Sequence, residues 1–139
     1  MPTENADEIY DRAMASMQAK DWQQAADYWS QFRAVKADRI AGYLQGSRAL
    51  LNLEQLTEAE AVLLEGIQRF PANSSLAARY ATLSTQGQDW NQALERWAAF
   101  HRTFESKAFS YLQQSQALIS LGRLDEADTL LAEAEAQWP

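Results

Sequence analysis

An all-α fold of four tandem antiparallel helix hairpins is predicted by three observations. The first is a 34-residue period: Ala25, Ala59, Ala93 and Ala127 recur at that spacing, and a fixed period of roughly twenty to fifty residues marks one supersecondary unit copied in tandem. The second is the flanks, a large apolar residue three before and four after each alanine. These are Trp22/Trp29, Leu56/Leu63, Trp90/Trp97 and Leu124/Leu131, so Trp and Leu pairs alternate and the full pattern returns every 68 residues. The third is composition: 47% hydrophobic residues, three Pro and five Gly, with abundant Ala, Leu, Gln and Glu, all good helix formers. At 139 residues the chain is about one domain long, read as residues 1–139 with units of about 3–37, 38–71, 72–105 and 106–139. Aligning 21–71 on 89–139 without a gap gives about 19 identities in 51 positions, which implies loop lengths set by packing.

Each element has a local reason. Helices are predicted over 3–19, 22–35, 39–53, 56–70, 74–86, 90–103, 107–121 and 124–137. Asp21 and Asp89 precede Trp22 and Trp90, where an Asp side chain can accept from the free amides of a first turn. Asp38 and Asn73 or Ser74 open the helices after the longer connections, Pro71 stops the helix before it, and Gly122 marks a hairpin turn with Gly87 close to its own. The recurrent alanine sits where two helices cross too closely for a large side chain, and the Trp or Leu one turn on either side fills the wider gaps. Trp22 and Trp29 share a face with Ala25 and Ala26, so the Trp pairs read as inter-helix core rather than a ligand cage. Gly42 and Gly46 form a GxxxG which, in a soluble amphipathic helix, means close packing.

A 34-residue helix-turn-helix with small residues at its crossing resembles the tetratricopeptide repeat (TPR). The residues that carry the likeness include Leu121-Gly122-Arg123-Leu124-Asp125-Glu126-Ala127, the closing Pro71 and Pro139, and the small first-helix positions Ala13, Ser47, Ala81 and Ser115; Ala37 and Glu105 depart from the closing Pro. The resemblance spans about Ala6 to Pro139. It implies a right-handed superhelical solenoid whose first helices line a concave groove for an extended peptide or a partner helix. Carried onto this chain, the partner-binding positions are Tyr10, Met14, Gln45, Arg48, Arg79, Thr82, Phe109, Gln113 and Gln116, with Asp7, Met17, Leu44, Leu51, Ala78 and Leu112 beside them. TPRs that hold a C-terminal carboxylate use paired Lys and Asn in early units and Lys and Arg later. Tyr10 and Met14 replace the first pair and Ser75 replaces a Lys, so only Arg79 fits.

Catalysis is not expected. There is no Cys, and His101 is the only histidine, so neither a thiol site, a metal cluster nor a Ser-His-Asp arrangement can be assembled in the usual way; no catalytic residue, cofactor or metal is assigned. Asp125 and Asp128 read as solvent-facing carboxylates. A net charge of −7 and a pI near 4.6 argue against nucleic acid, which needs clustered Lys and Arg. Arg33, Lys36, Arg69, Arg102 and Lys107 fall near helix ends, where they complement the dipole. No apolar run is long enough to span a membrane and the acidic N-terminus is unlike a secretion signal, so a cytoplasmic protein is expected. The expected function is a non-enzymatic protein–protein interaction module or scaffold with a protein or peptide partner. The last helix carries Leu130, Leu131, Ala134 and Trp138 without a polar cap, which a repeat array needs; this suggests further chain or a homodimer through that helix. The Trp and Leu alternation also resembles TPR segments attached to bacterial transferases, making an accessory domain of a larger enzyme the alternative.

Overall fold

The computed structural model describes residues 5–104 and 108–137; the expectations placed on residues 3 and 4, Glu105, Lys107, Trp138 and Pro139 lie outside them. Among the described residues the regular elements are helices: α1 (Ala6–Gln18), α2 (Trp22–Val35), α3 (Ala41–Asn52), α4 (Leu56–Arg69), α5 (Ser74–Gln86), α6 (Trp90–Thr103), α7 (Ala108–Ser120) and α8 (Leu124–Gln137). They fall into two compact units, Met1–Pro71 and Ala72–Pro139. In unit 1, α1 packs on α2, α2 on α3 and α3 on α4; unit 2 repeats this order with α5 to α8.

The helix starts are mostly capped as the residue types require. The side chains of Asn5, Asp21, Asn73 and Asp89 accept from the backbone N–H of Glu8, Gln24, Leu76 and Gln92 at 2.9, 3.2, 3.0 and 3.2 Å, each satisfying an otherwise orphaned amide. Asp38 does not cap α3. The chain first makes a tight turn in which Arg39 N–H donates to Lys36 C=O, and the N-cap position is Ile40, already helical and with no side-chain bond. Asp38 therefore comes two residues too early.

Every hairpin turn uses the same left-handed residue. Lys20, Glu54, Gln88 and Gly122 have φ of 58°, 60°, 57° and 77°, again 34 residues apart. The following N–H reaches back five residues in each case, Asp21 to Ser16, Gln55 to Leu50, Asp89 to Ser84 and Arg123 to Leu118, at 2.8–3.0 Å; this is the Schellman closure of a helix end. Gly87 stays right-handed at φ −79°, so the turn falls one residue later, on Gln88.

Burial confirms the alanine as the crossing point. Ala25, Ala59 and Ala93 are fully buried and Ala127 nearly so. The later flank fills the core at Trp29, Leu63 and Trp97, with Leu131 half-buried. The earlier flank does not: Trp22 and Trp90 are half-buried, and Leu56 and Leu124 are 57% and 58% exposed. Each is the first residue of its helix, beside the hairpin turn where the preceding helix has already ended. Helices α3 and α4 meet at Gly66, where a Cβ would come within 2.9 Å of Tyr43 Cβ.

Candidate functional site

The first helix of each hairpin carries the expected partner-binding residues, and their backing differs from residue to residue. In unit 1, Tyr10 on α1 meets the Trp29 ring edge-on at 5.5 Å and the Phe32 ring at 5.6 Å, so half of this side chain is committed to packing. Met14 and Gln45 are half-buried and Arg48 is exposed. Of the neighbouring positions, Met17 is buried, Asp7 exposed, and Leu44 and Leu51 half-buried.

In unit 2, Phe109 at the start of α7 is 39% exposed while one face of its ring packs on Trp97 at 5.5 Å and Phe100 at 5.4 Å. Phe100 in turn contacts Phe104 at 4.9 Å, giving an aromatic cluster open to the outside through Phe109. Arg79 and Gln116 are exposed and Thr82 half-buried; the Thr82 hydroxyl donates to the Ala78 carbonyl at 2.7 Å and is thereby occupied. Gln113 is half-buried, and its Oε1 is fully enclosed with no hydrogen-bond partner, an arrangement that carries a cost.

Apart from α1, which carries Asp7, Glu8, Asp11 and Arg12, charge is sorted between the helices. The helices α3, α5 and α7, of 12, 13 and 13 residues, hold two charges between them, Arg48 and Arg79, both positive. In unit 2 every acidic residue within a helix is on α6 or α8. Helix α7 has no charged residue at all, yet it exposes Phe109, Leu112 (61%) and Ile119 (53%). Ile119 was not among the sequence-derived positions; its spacing of seven from Leu112 places it on the same face.

His101 is not a bare surface residue: its Nδ1 shares a hydrogen bond with Ser110 Oγ at 2.9 Å and its ring lies edge-on to Tyr111. Arg33, read as a dipole-complementing helix end, instead turns inward, where Nη1 donates to Gly42 C=O at 3.0 Å. Burial depresses its pKa below the ordinary guanidinium value while nearby Glu65 and Tyr43 act the other way, and burial likewise raises the Tyr43 pKa. Among the described residues no group of three or more His, Cys, Asp or Glu is placed to hold a metal ion, and no helix is long and apolar enough to cross a membrane.

No family model matches this chain, and no curated protein matches it in sequence. Solved structures do match. A crystal structure of MamA superposes with a TM-score of 0.79 at 14% identity, covering 95% of this chain and 77% of that one. MamA residues 41-end from Desulfovibrio magneticus RS-1 gives 0.74 at 11% identity, covering 95% and 75%. The Arabidopsis OM64 TPR domain gives 0.65 at 12% identity, covering 81% and 93%. With helix hairpins, buried crossing alanines and these neighbours together, the chain has a TPR-like all-α repeat fold.

Proposed function

We propose that this chain is a non-enzymatic protein-interaction module that binds a peptide or helical segment along its first helices, with Tyr10, Met14, Gln45 and Arg48 contributing in unit 1 and Arg79, Thr82, Phe109, Gln113 and Gln116 in unit 2. The observation that carries this reading is the charge sorting. In a chain of net charge −7, α7 is free of charge and exposes three large apolar side chains, the composition of an interface core rather than of a solvated helix. Gln116, which is exposed, supplies a donor and an acceptor for a partner backbone, and Phe109 and Leu112 receive apolar side chains. The acidic balance of the chain disfavours nucleic acid as the partner.

Peptide display against the whole chain tests this. Selected peptides are expected to shift NMR resonances of α5 and α7, and Leu112→Asp is expected to weaken them by roughly ten-fold or more, the scale of a lost apolar anchor. Glu95→Ala, on α6, is expected to leave them unchanged. Peptides that map away from the first helices would overturn the reading.

A second reading, attachment to a larger enzyme or to a second copy through α8, is favoured by that helix's burial. Only Ala127 of α8 is buried, while Leu124 is exposed and Leu131 and Ala134 are half-buried. Sedimentation analysis across a range of concentrations separates a monomer from a dimer formed there.

A further inference from the structure

Inside each unit a second helix lies antiparallel across the first helix of the next hairpin, and the 34-residue period carries that crossing to two faces left open. In unit 1 the crossing is α2 on α3. A Cβ on Gly42 would come within 3.3 Å of Phe32 Cδ2 and one on Gly46 within 3.3 Å of Trp29 Cβ, and the Arg33 guanidinium rests over Gly46. In unit 2 it is α6 on α7, with His101 bonded to Ser110 at 2.9 Å and Leu94 lining one hollow with Gln114 and Leu118. Gly42, Gly46 and Ala49 are buried in the first crossing, and Ser110, Gln114 and Ala117 at the same register in the second.

One period before α3, the same face of α1 presents Glu8, Arg12 and Ala15, all exposed. Ala15 keeps the small residue that Ala49 and Ala117 supply to their crossings. An open hollow of about 330 Å³ lies there, lined by Arg12, Ala15, Ser16, Ala19, Gln24 and Tyr28 with Asp21 at its edge; three periods later the equivalent groove is the one that Leu94 enters from α6. One period after α6, the same face of α8 presents Asp128, Leu131, Ala134 and Glu135 in place of Leu94, Trp97, Phe100 and His101. Trp97 and Phe100 are buried, whereas Leu131 and Ala134 are half-buried and Asp128 and Glu135 exposed. These open faces of α1 and α8 are thus the two halves of a contact that the chain makes twice within itself.

We propose that copies of this chain join head to tail, α8 of one lying antiparallel across α1 of the next. This extends the second reading above, docking of a copy through α8, and does not depend on peptide binding at the first helices. Charge selects the pairing. Helix α8 carries Asp125, Glu126, Asp128, Glu133 and Glu135 and no basic residue, so two α8 helices repel each other. In the transposed crossing, Arg33 over Gly46 becomes Glu135 over Arg12, and Leu94 beside Gln114 becomes Asp128 beside Arg12, so two carboxylates bracket one guanidinium. The like charges nearby are already engaged: Asp21 accepts from Gln24 N–H, and Glu8, which falls opposite Ala134, accepts from Asn5 Nδ2 at 3.1 Å. Because the two faces differ, the contact is heterologous and adds copies in a row or ring rather than closing as a two-fold dimer.

Sedimentation velocity of the whole chain over a range of concentrations tests this. Species larger than a dimer are expected to grow with concentration. Ala15→Tyr fills the crossing on α1, and Asp128→Lys with Glu135→Lys reverses the face of α8; both alter exposed residues, and circular dichroism checks that they stay folded. Each is expected to weaken association by roughly ten-fold or more. Mixed in equal amounts, the two variants are expected to recover a heterodimer and nothing larger, because each keeps one intact face. Leu112→Asp, on the first-helix face, is expected to leave association unchanged. A chain that stays monomeric at every concentration overturns both the proposal and the docking of a copy through α8. Association that survives Ala15→Tyr but is lost in the α8 variant keeps that docking and overturns its head-to-tail form, as does a mixture that fails to recover. Association lost in Leu112→Asp overturns the proposal by moving the contact to the first-helix face.

Discussion

Units 1 and 2 share one pattern but close their cores with different pairs. Trp29 and Trp97 occupy the same register and both are buried, yet Trp97 Nε1 donates to Thr85 Oγ1 at 3.0 Å whereas Trp29 Nε1 is enclosed without a partner. Met17 stands where unit 2 has Thr85. The third ring of each aromatic cluster also changes side. Tyr10 reaches Trp29 from the preceding first helix, and Phe109 reaches Trp97 from the following one; their counterparts are Ala78 and Ala41. Arg33 over Gly42 and Gly46 becomes His101 with Ser110 and Gln114 by the same exchange. The aromatic filling of the core is thus kept by contacting groups rather than by positions, as packed interiors allow, whereas the indole hydrogen bond is made in unit 2 and not in unit 1.

The largest way to break the comparison is at the indoles. Truncating Trp29 or Trp97 to Ala is expected to cost about 3–5 kcal/mol in each case, with amide exchange rising in α1–α3 for the first and in α5–α7 for the second. The finer cut is Thr85→Val, which leaves Trp97 Nε1 unpaired and is expected to cost about 1–3 kcal/mol in chemical denaturation. Met17→Thr is expected to cost less than truncating Met17 to Ala, because the new hydroxyl supplies the partner Trp29 lacks. If Thr85→Val is neutral, the two units do not differ in the way their indole bonds suggest.

Local features of this kind could be read from the chain and the pairwise ones could not. Asp21, Asn73 and Asp89 cap their helices because the bond is made three residues away, and Ala25 to Ala127 pack as crossings because the period exposes them. Arg33 looked like any cation in a last turn, since nothing near it in sequence shows that Gly42 and Gly46 leave room across the crossing. Tyr10 and Phe109 were read as groove residues without their aromatic backing, because each ring's neighbours lie on other helices. Leu56 and Leu124 match Trp22 and Trp90 by spacing, but exposure there depends on where the facing helix stops. Whether the nine expected residues bind a partner rests on an occupant that no pattern within this chain describes.

The hairpin turns sharpen the comparison by a smaller amount. Lys20, Glu54 and Gln88 hold a positive φ that costs a residue with a Cβ about 1 kcal/mol relative to glycine, and Gly122 alone avoids it. Lys20→Gly, Glu54→Gly and Gln88→Gly are each expected to stabilise the fold by roughly 0.5–1 kcal/mol, less the extra freedom glycine gains when unfolded. Gly122→Ala is expected to lower stability by a similar amount in thermal unfolding. A stabilising Gly122→Ala would mean that the four turns are not equivalent despite their shared φ.

The smallest difference is electrostatic. Arg123 and Glu126 bracket the start of α8 with a two-point pair, one contact of which is 2.8 Å, whereas unit 1 has Gln55 and Glu58 at those positions. Hydrogen bonding to Arg123 lowers the Glu126 pKa, and the same bond raises that of Arg123. A carboxylate whose folded pKa is depressed adds stability above its unfolded pKa, and that contribution disappears as pH falls through the folded value. Both groups are solvent-exposed, so the pair contributes little. Following the Glu126 carboxyl carbon by NMR through the acid range is expected to show its midpoint moving up in Arg123→Gln. Added salt is expected to erode the wild-type depression, and an unmoved midpoint would show that the pair does not persist in solution.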